Sequence, residues 1–218
     1  MARLTTILLD LDGTLIDPAP GILGCCRQAL EALGCPAPPE ADLRWVIGPP
    51  IRESFSRLLD GRGDPEEAVR LYRARYGETG LFDAAVYPGV TGALAALRAR
   101  GLTLLLCTSK ARPFAERIVQ HFGLAPYLAG VYGAELDGRL DDKGDLIAHL
   151  LATEGVAPEA ACMVGDREHD MRAAARHGMA RIGVLWGYGD AAELRGAGAS
   201  VLIASPDELP GACGALLV

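Results

Sequence analysis

Apolar residues fall along this chain in two kinds of run. Thr5 to Leu11, Leu102 to Cys107, Ala161 to Val164, Arg181 to Leu185 and Ser200 to Ala204 are short, continuous stretches without polar alternation. Strands covered by helices on both faces have this signature, because neither face meets water. Between them, Val90 to Arg100, Pro113 to Phe122, Lys143 to Glu154, Glu168 to His177 and Pro206 to Leu217 repeat apolar positions at helical spacing. Gly101, Gly123, Gly155 and Gly178 each follow one of these segments, where a residue able to turn left-handed ends a helix. The alternation predicts a doubly wound, Rossmann-like α/β fold with a parallel sheet.

From about residue 17 to 85 the alternation stops. Ile22, Leu23, Cys26, Leu30 and Leu33 form one helical stripe, and a second helix is expected over Ile51 to Leu59. A third starts at Asp64-Pro65-Glu66-Glu67. There Asp64 is expected to cap, Pro65 to take the first helical position and Glu67 to complete a capping box. Val86-Tyr87-Pro88-Gly89 then returns the chain to strand and helix. The expected organisation is a core domain of residues 1–16 and 86–218, interrupted after its first strand by an all-helical cap domain, 17–85.

Composition narrows the partners. Twenty-eight acidic residues against 21 Lys and Arg give a net charge of -7. Sequence-independent binding of a nucleic-acid polymer needs Lys and Arg to replace phosphate counterions, so it is not expected. No apolar run approaches the roughly 20 residues that span a bilayer, so no membrane partner is expected. Ile7-Leu8-Leu9 stops at Asp10, too short for a signal peptide. The six cysteines form no C-x-x-C pair, which argues against zinc and for reduced thiols in a cytoplasmic protein, a monomer or homodimer.

Some of the acids stand where chemistry is expected. Leu9-Asp10-Leu11-Asp12-Gly13-Thr14 closes the first strand, and open α/β sheets bind ligands beyond the carboxyl ends of their strands. The turn at Gly13 is expected to bring both carboxylates to one ligand. Thr108 and Ser109 end a second strand with two hydroxyls suited to phosphate oxygens, or to capping the next helix. Lys143 opens a helix, positioned to cancel the charge of a transferring phosphoryl group. Asp166 ends a further strand in Gly165-Asp166-Arg167-Glu168-His169-Asp170, with Asp170 one helical turn later. Four carboxylates at one sheet edge repel each other unless a cation joins them, and an all-oxygen donor set suits Mg2+. Hydroxyl, lysine and Mg2+ fit a phosphoryl group, and the first carboxylate fits a nucleophile. The expected reaction class is phosphoryl transfer through an aspartyl-phosphate. His121, His149, His169 and His177 share no spacing that would make a histidine site.

In this order, Asp10-Leu-Asp12-Gly-Thr, Thr108, Lys143 and Gly-Asp166-x-x-x-Asp170 resemble the four motifs of haloacid dehalogenase-like phosphatases. The chain is most similar to the phosphoglycolate phosphatase, 5'-nucleotidase and β-phosphoglucomutase branch. The resemblance implies Asp10 as nucleophile and Mg2+ ligand. It implies Asp12 as acid and then base, with its carbonyl on the metal. Thr108 and Lys143 would hold the phosphoryl oxygens, with Asp166 and Asp170 on the metal side. Gly13 and Ser109 are expected at the substrate, Ser109 through its backbone N–H, and Lys110 is expected to be structural. Arg52, after the Ile47-Gly48-Pro49-Pro50 loop of the cap, is expected to meet an anionic group of the substrate. The expected substrate is a small phosphomonoester, 2-phosphoglycolate or a nucleoside 5'-monophosphate. A phosphosugar mutase and a non-catalytic, receiver-like phospho-acceptor are the alternatives.

Overall fold

The computed structural model describes residues 4–216. Strands β1 (Thr6–Leu9), β2 (Ile16–Asp17) and β3 (Ala85–Val86) bracket the helical insert, whose helices are α1 (Ala19–Ala32), α2 (Glu40–Leu43), α3 (Ile51–Leu59) and α4 (Pro65–Glu78). Beyond it follow α5 (Val90–Ala99), β4 (Thr103–Ala111), α6 (Arg112–His121), β5 (Gly130–Ala134) and α7 (Lys143–Glu154). The chain ends with β6 (Ala161–Gly165), α8 (Glu168–Arg176), β7 (Ala180–Val184), α9 (Ala191–Gly196), β8 (Val201–Ile203) and α10 (Leu209–Ala215). Six strands form one sheet in the order β5-β4-β1-β6-β7-β8, and every neighbouring pair is parallel.

This order puts the switch point of the sheet at β1. The chain runs outward through β4 and β5 on one side of β1 and through β6, β7 and β8 on the other. A crevice therefore opens at the carboxyl end of β1, between helices that leave in opposite directions. Register fixes what lines it. Leu9 pairs with Leu106 of β4 and Val164 of β6, so Asp10, Thr108 and Asp166 all emerge just past the same row.

Period-two alternation splits the core strands between two layers. Leu8, Leu105 and Met163 face Leu146, Ile147 and Leu150 of α7. Ile7, Leu9, Leu106 and Val164 pack on the other side with Leu94 and Leu97 of α5 and with the insert's Ile22, Leu30 and Phe55. The two connections of the insert pair with each other, Ile16 with Val86 and Asp17 with Ala85, antiparallel. The four glycines expected to end helices all have positive φ, from 64° to 78°.

Several boundaries differ from the sequence reading. Strand β4 runs through Thr108, Ser109 and Lys110 to Ala111, and α6 starts without a side-chain cap, so the hydroxyls do not cap it. Strand β5, Gly-Val-Tyr-Gly-Ala at the sheet edge, is too short and glycine-rich to stand out as an apolar run. Helix α9, six residues long, escapes helical periodicity for the same reason. The last helix begins as a 3-10 turn, Pro206–Glu208, and Leu217 lies outside the described residues. At α4, Asp64 caps Glu66 N–H as expected, but no capping box forms. Glu67 instead pairs with Arg70 one turn on, a charged contact that outcompetes the backbone N–H. Among the described residues no helix is long and apolar enough to cross a membrane.

Candidate active site

Tight local folding places the first acids. Leu11 C=O accepts from the N–H groups of Thr14, Leu15 and Ile16, closing a turn directly after β1. Gly13 occupies that turn at φ +80°, and a Cβ there would lie 2.1 Å from Asp166 Oδ2. Only glycine allows both the backbone and this approach. Its N–H is taken by Ile16 C=O at 2.8 Å, so closeness to Asp166 is what Gly13 brings to the site.

Asp10, Asp166 and Asp170 are buried, and each offers an oxygen within 4.8 Å of the other two. Lys143, the first residue of α7, inserts its ammonium among them, 2.7 Å from Asp10 Oδ1 and in contact with Asp170. Burial lowers the Lys143 pKa, but Asp10 and Asp170 outweigh it and hold the ammonium charged. The lysine does not fully compensate its partners. Burial raises the Asp10 carboxyl to about 6 against the attraction of Lys143. Asp166 is pushed well above the usual carboxylate range by burial and then by Asp170 and Asp10. It accepts hydrogen bonds from Tyr188 N–H at 2.8 Å and Thr14 O–H at 3.3 Å.

Asp12 points to a different cation. Its Oδ2 lies 2.9 Å from Lys110 Nζ, while its Oδ1 is buried and, among the described residues, has no hydrogen-bond partner. Burial raises the Asp12 pKa, countered first by Lys110. Lys110 in turn donates to the hydroxyl of Tyr76, on α4 of the insert. Lys110 is thus a member of the site. Its place two residues after Thr108 is the only sequence signal for it.

Fully ionised, the four buried acids would face two ammonium groups with a formal excess of two negative charges, and burial pushes the pKa values of Asp10, Asp12 and Asp166 up in place of a cation. Arg167 does not make up the difference, because its guanidinium is committed to Glu193 and to Ile47 C=O. An all-oxygen donor set with this excess fits one divalent cation of the Mg2+ type, held by Asp10, Asp166 and Asp170.

The segment after β7 supports the acids, and no apolar pattern singles it out. Trp186 Nε1 donates to Thr14 C=O at 3.0 Å. Gly187 packs so closely that a Cβ would come 2.4 Å from the Asp166 side chain. Tyr188 contributes the N–H on Asp166 and a hydroxyl in contact with Asp17.

Above Asp10, Asp12 and Thr108 a cleft opens between core and insert. Its walls include Ile22, Val46, Ile51, Tyr72, Tyr76 and Phe114, with Ser109, Arg73 and Asp141 also lining it. Tyr72 stacks on Tyr76, and Phe114 meets Tyr76 edge-on. Arg52 lines a neighbouring cleft with Lys143 and His169, and it is ion-paired to Glu66 at 2.6 Å and Asp141 at 3.5 Å. Asp10, Asp12, Thr108, Ser109, Lys143, Asp166 and Asp170 thus gather at one sheet edge, with Arg52 to one side.

Comparisons with known proteins agree with this geometry. The sequence model of the family described as haloacid dehalogenase-like hydrolase matches residues 7–184. The 5'-nucleotidase of Pseudomonas aeruginosa is 44% identical over 194 residues, 88% of either chain. The tyrosine-protein kinase PtkA of Mycobacterium tuberculosis is 43% identical over 187 residues, which are 85% of this chain and 63% of that protein. The crystal structure of a predicted phosphatase from Clostridium acetobutylicum superposes with a TM-score of 0.92 at 34% identity, covering 97% of this chain and 98% of that one. The chain belongs to the haloacid dehalogenase-like hydrolase family and is a phosphoric monoester hydrolase.

Proposed function

We propose that this enzyme hydrolyses a small-molecule phosphomonoester through a phosphorylated Asp10, with Mg2+ as cofactor. The observation that carries the reading is the charge imbalance at the end of β1, where Asp10, Asp12, Asp166 and Asp170 are met by only Lys110 and Lys143. Such a site is incomplete until a dication enters it, and with the dication bound the two lysines and the metal can receive a phosphoryl group. Mg2+, when bound, supplies positive charge to the phosphoryl oxygens and to the excess carboxylates.

The residues divide the remaining work. Asp10 attacks phosphorus as the ester P–O bond breaks, and Lys143 holds the attacking carboxylate in place. Asp12 Oδ1, which has no partner among the described residues, delivers a proton to the leaving alkoxide. The carboxylate so formed, paired with Lys110, takes a proton from the water that attacks the phosphoaspartate, breaking its P–O bond so that inorganic phosphate leaves and the Asp10 carboxylate is restored. Thr108 and the Ser109 N–H receive phosphoryl oxygens at the end of β4. Asp166 and Asp170 would hold the metal.

Between the two candidate substrates, we favour a nucleoside 5'-monophosphate. Phe114, half-buried beside the buried Tyr72 and Tyr76, offers a base apolar contact that the short glycolate chain cannot use. The test is phosphate release from a panel containing nucleoside 5'-monophosphates, 2-phosphoglycolate and β-glucose 1-phosphate, with EDTA and Mg2+ readdition. Release that stops in EDTA and returns with Mg2+, and that is fastest with a nucleotide, is the expected result. Full activity in EDTA removes the metal. Isomerisation of the sugar phosphate without phosphate release replaces hydrolysis with a mutase reaction, and stoichiometric phosphorylation without turnover replaces it with a phospho-acceptor.

A further inference from the structure

Arg73 stands on α4, in the same cleft as Asp10 and Asp12, and among the described residues it has no direct ion pair. It lines that cleft with Tyr72, Tyr76 and Phe114. One N–H donates to Leu136 C=O at 2.7 Å, and among the described residues no carboxylate reaches it within 4.0 Å. Arg52 differs, because Glu66 and Asp141 already hold it. Burial, and then the like charge of Arg52, push the Arg73 guanidinium below its ordinary pKa, and the more distant carboxylates of Asp141 and Glu66 offset this only in part. A half-buried guanidinium keeps five donors in a fixed plane, and one carbonyl uses only part of them.

We infer that Arg73 is the specificity-determining residue of the cleft, donating to an acceptor oxygen on the leaving group while phosphorus sits at Asp10. The inference rests on the phosphatase reading above and adds which group of this chain selects the ester. The acceptor is a carbonyl oxygen of a base or a carboxylate oxygen of a short acid. Both present in-plane lone pairs to a guanidinium. Phenyl phosphate has neither, so it reports the phosphoryl end of the site alone.

The experiment compares wild type with Arg73→Met and Arg73→Lys, taking kcat and KM separately for uridine 5'-monophosphate, adenosine 5'-monophosphate, 2-phosphoglycolate and phenyl phosphate. Thermal midpoints confirm that each variant folds. A charged hydrogen bond corresponds to about 10- to 100-fold in kcat/KM. Arg73→Met is expected to lower kcat/KM for the preferred ester by about that factor relative to phenyl phosphate, chiefly through KM, and Arg73→Lys to recover part of it. Loss with uridine 5'-monophosphate but not with adenosine 5'-monophosphate identifies a base carbonyl, and loss with 2-phosphoglycolate identifies a carboxylate. Equal losses on all four esters overturn the role of Arg73 while leaving the phosphatase reading intact. A wild type that releases phosphate from none of them overturns both.

Discussion

Removing one acid from the metal site should stabilise the metal-free protein. Asp166→Asn keeps the shape, since the amide oxygen can accept from Tyr188 N–H and the amide nitrogen can donate to Thr14 Oγ1. What it removes is repulsion. Oxygens of Asp10, Asp166 and Asp170 lie within 4.8 Å of one another, so each charged pair costs at least about 3.5 kcal/mol at an effective dielectric of about 20. Asp166 faces two such partners, and the single ammonium of Lys143 offsets about one. The cost has a ceiling of about 4 kcal/mol at pH 7, beyond which the carboxylate takes up a proton instead. Urea unfolding in EDTA at pH 7 should therefore show Asp166→Asn more stable than wild type by about 2–4 kcal/mol. With saturating Mg2+ the order should reverse, because only wild type has the donor set that turns metal binding into folding stability. A variant no more stable than wild type in EDTA, or one that gains as much from Mg2+, would refute the charge argument.

Two further substitutions probe the supports of the site. Gly13→Ala puts a Cβ 2.1 Å from Asp166 Oδ2 at φ +80°, so a loss of about 2–4 kcal/mol in unfolding free energy is expected together with weaker Mg2+ binding by calorimetry. Lys110→Met leaves the buried Asp12 carboxylate unpaired and should cost about 3–5 kcal/mol, most of it recovered when Asp12→Asn is added. A double variant as unstable as the single one would show that the ion pair is not the cause.

Much of the fold was legible because burial and period coincide in it. Thr6 to Leu9 lies buried between two parallel strands, and a continuous apolar run there has few other readings. Strand β5 and helix α9 lacked that signal: one lies at the sheet edge, half-buried, and the other is barely longer than a turn. The acids at strand ends were legible for a related reason. A sheet with its switch point at β1 delivers Asp10, Thr108 and Asp166 to one place whatever the loops do. Groups whose place depends on how the insert packs were not legible. Arg52 and Arg73 are both arginines on insert helices, and only packing gives one of them to Glu66 and Asp141 and leaves the other facing the cleft. Lys110 is similar, because its role comes from Asp12 on one side and Tyr76, 34 residues away in sequence, on the other.

The most direct test of catalysis is to find the phosphoryl group on the protein. Wild-type enzyme with Mg2+ and its preferred ester should be quenched in acid within the first turnover and mapped by peptide mass. A phosphoryl adduct on Asp10, absent from Asp10→Asn along with all phosphate release, is the expected result. An adduct on another residue, or turnover by Asp10→Asn, would contradict a nucleophilic Asp10.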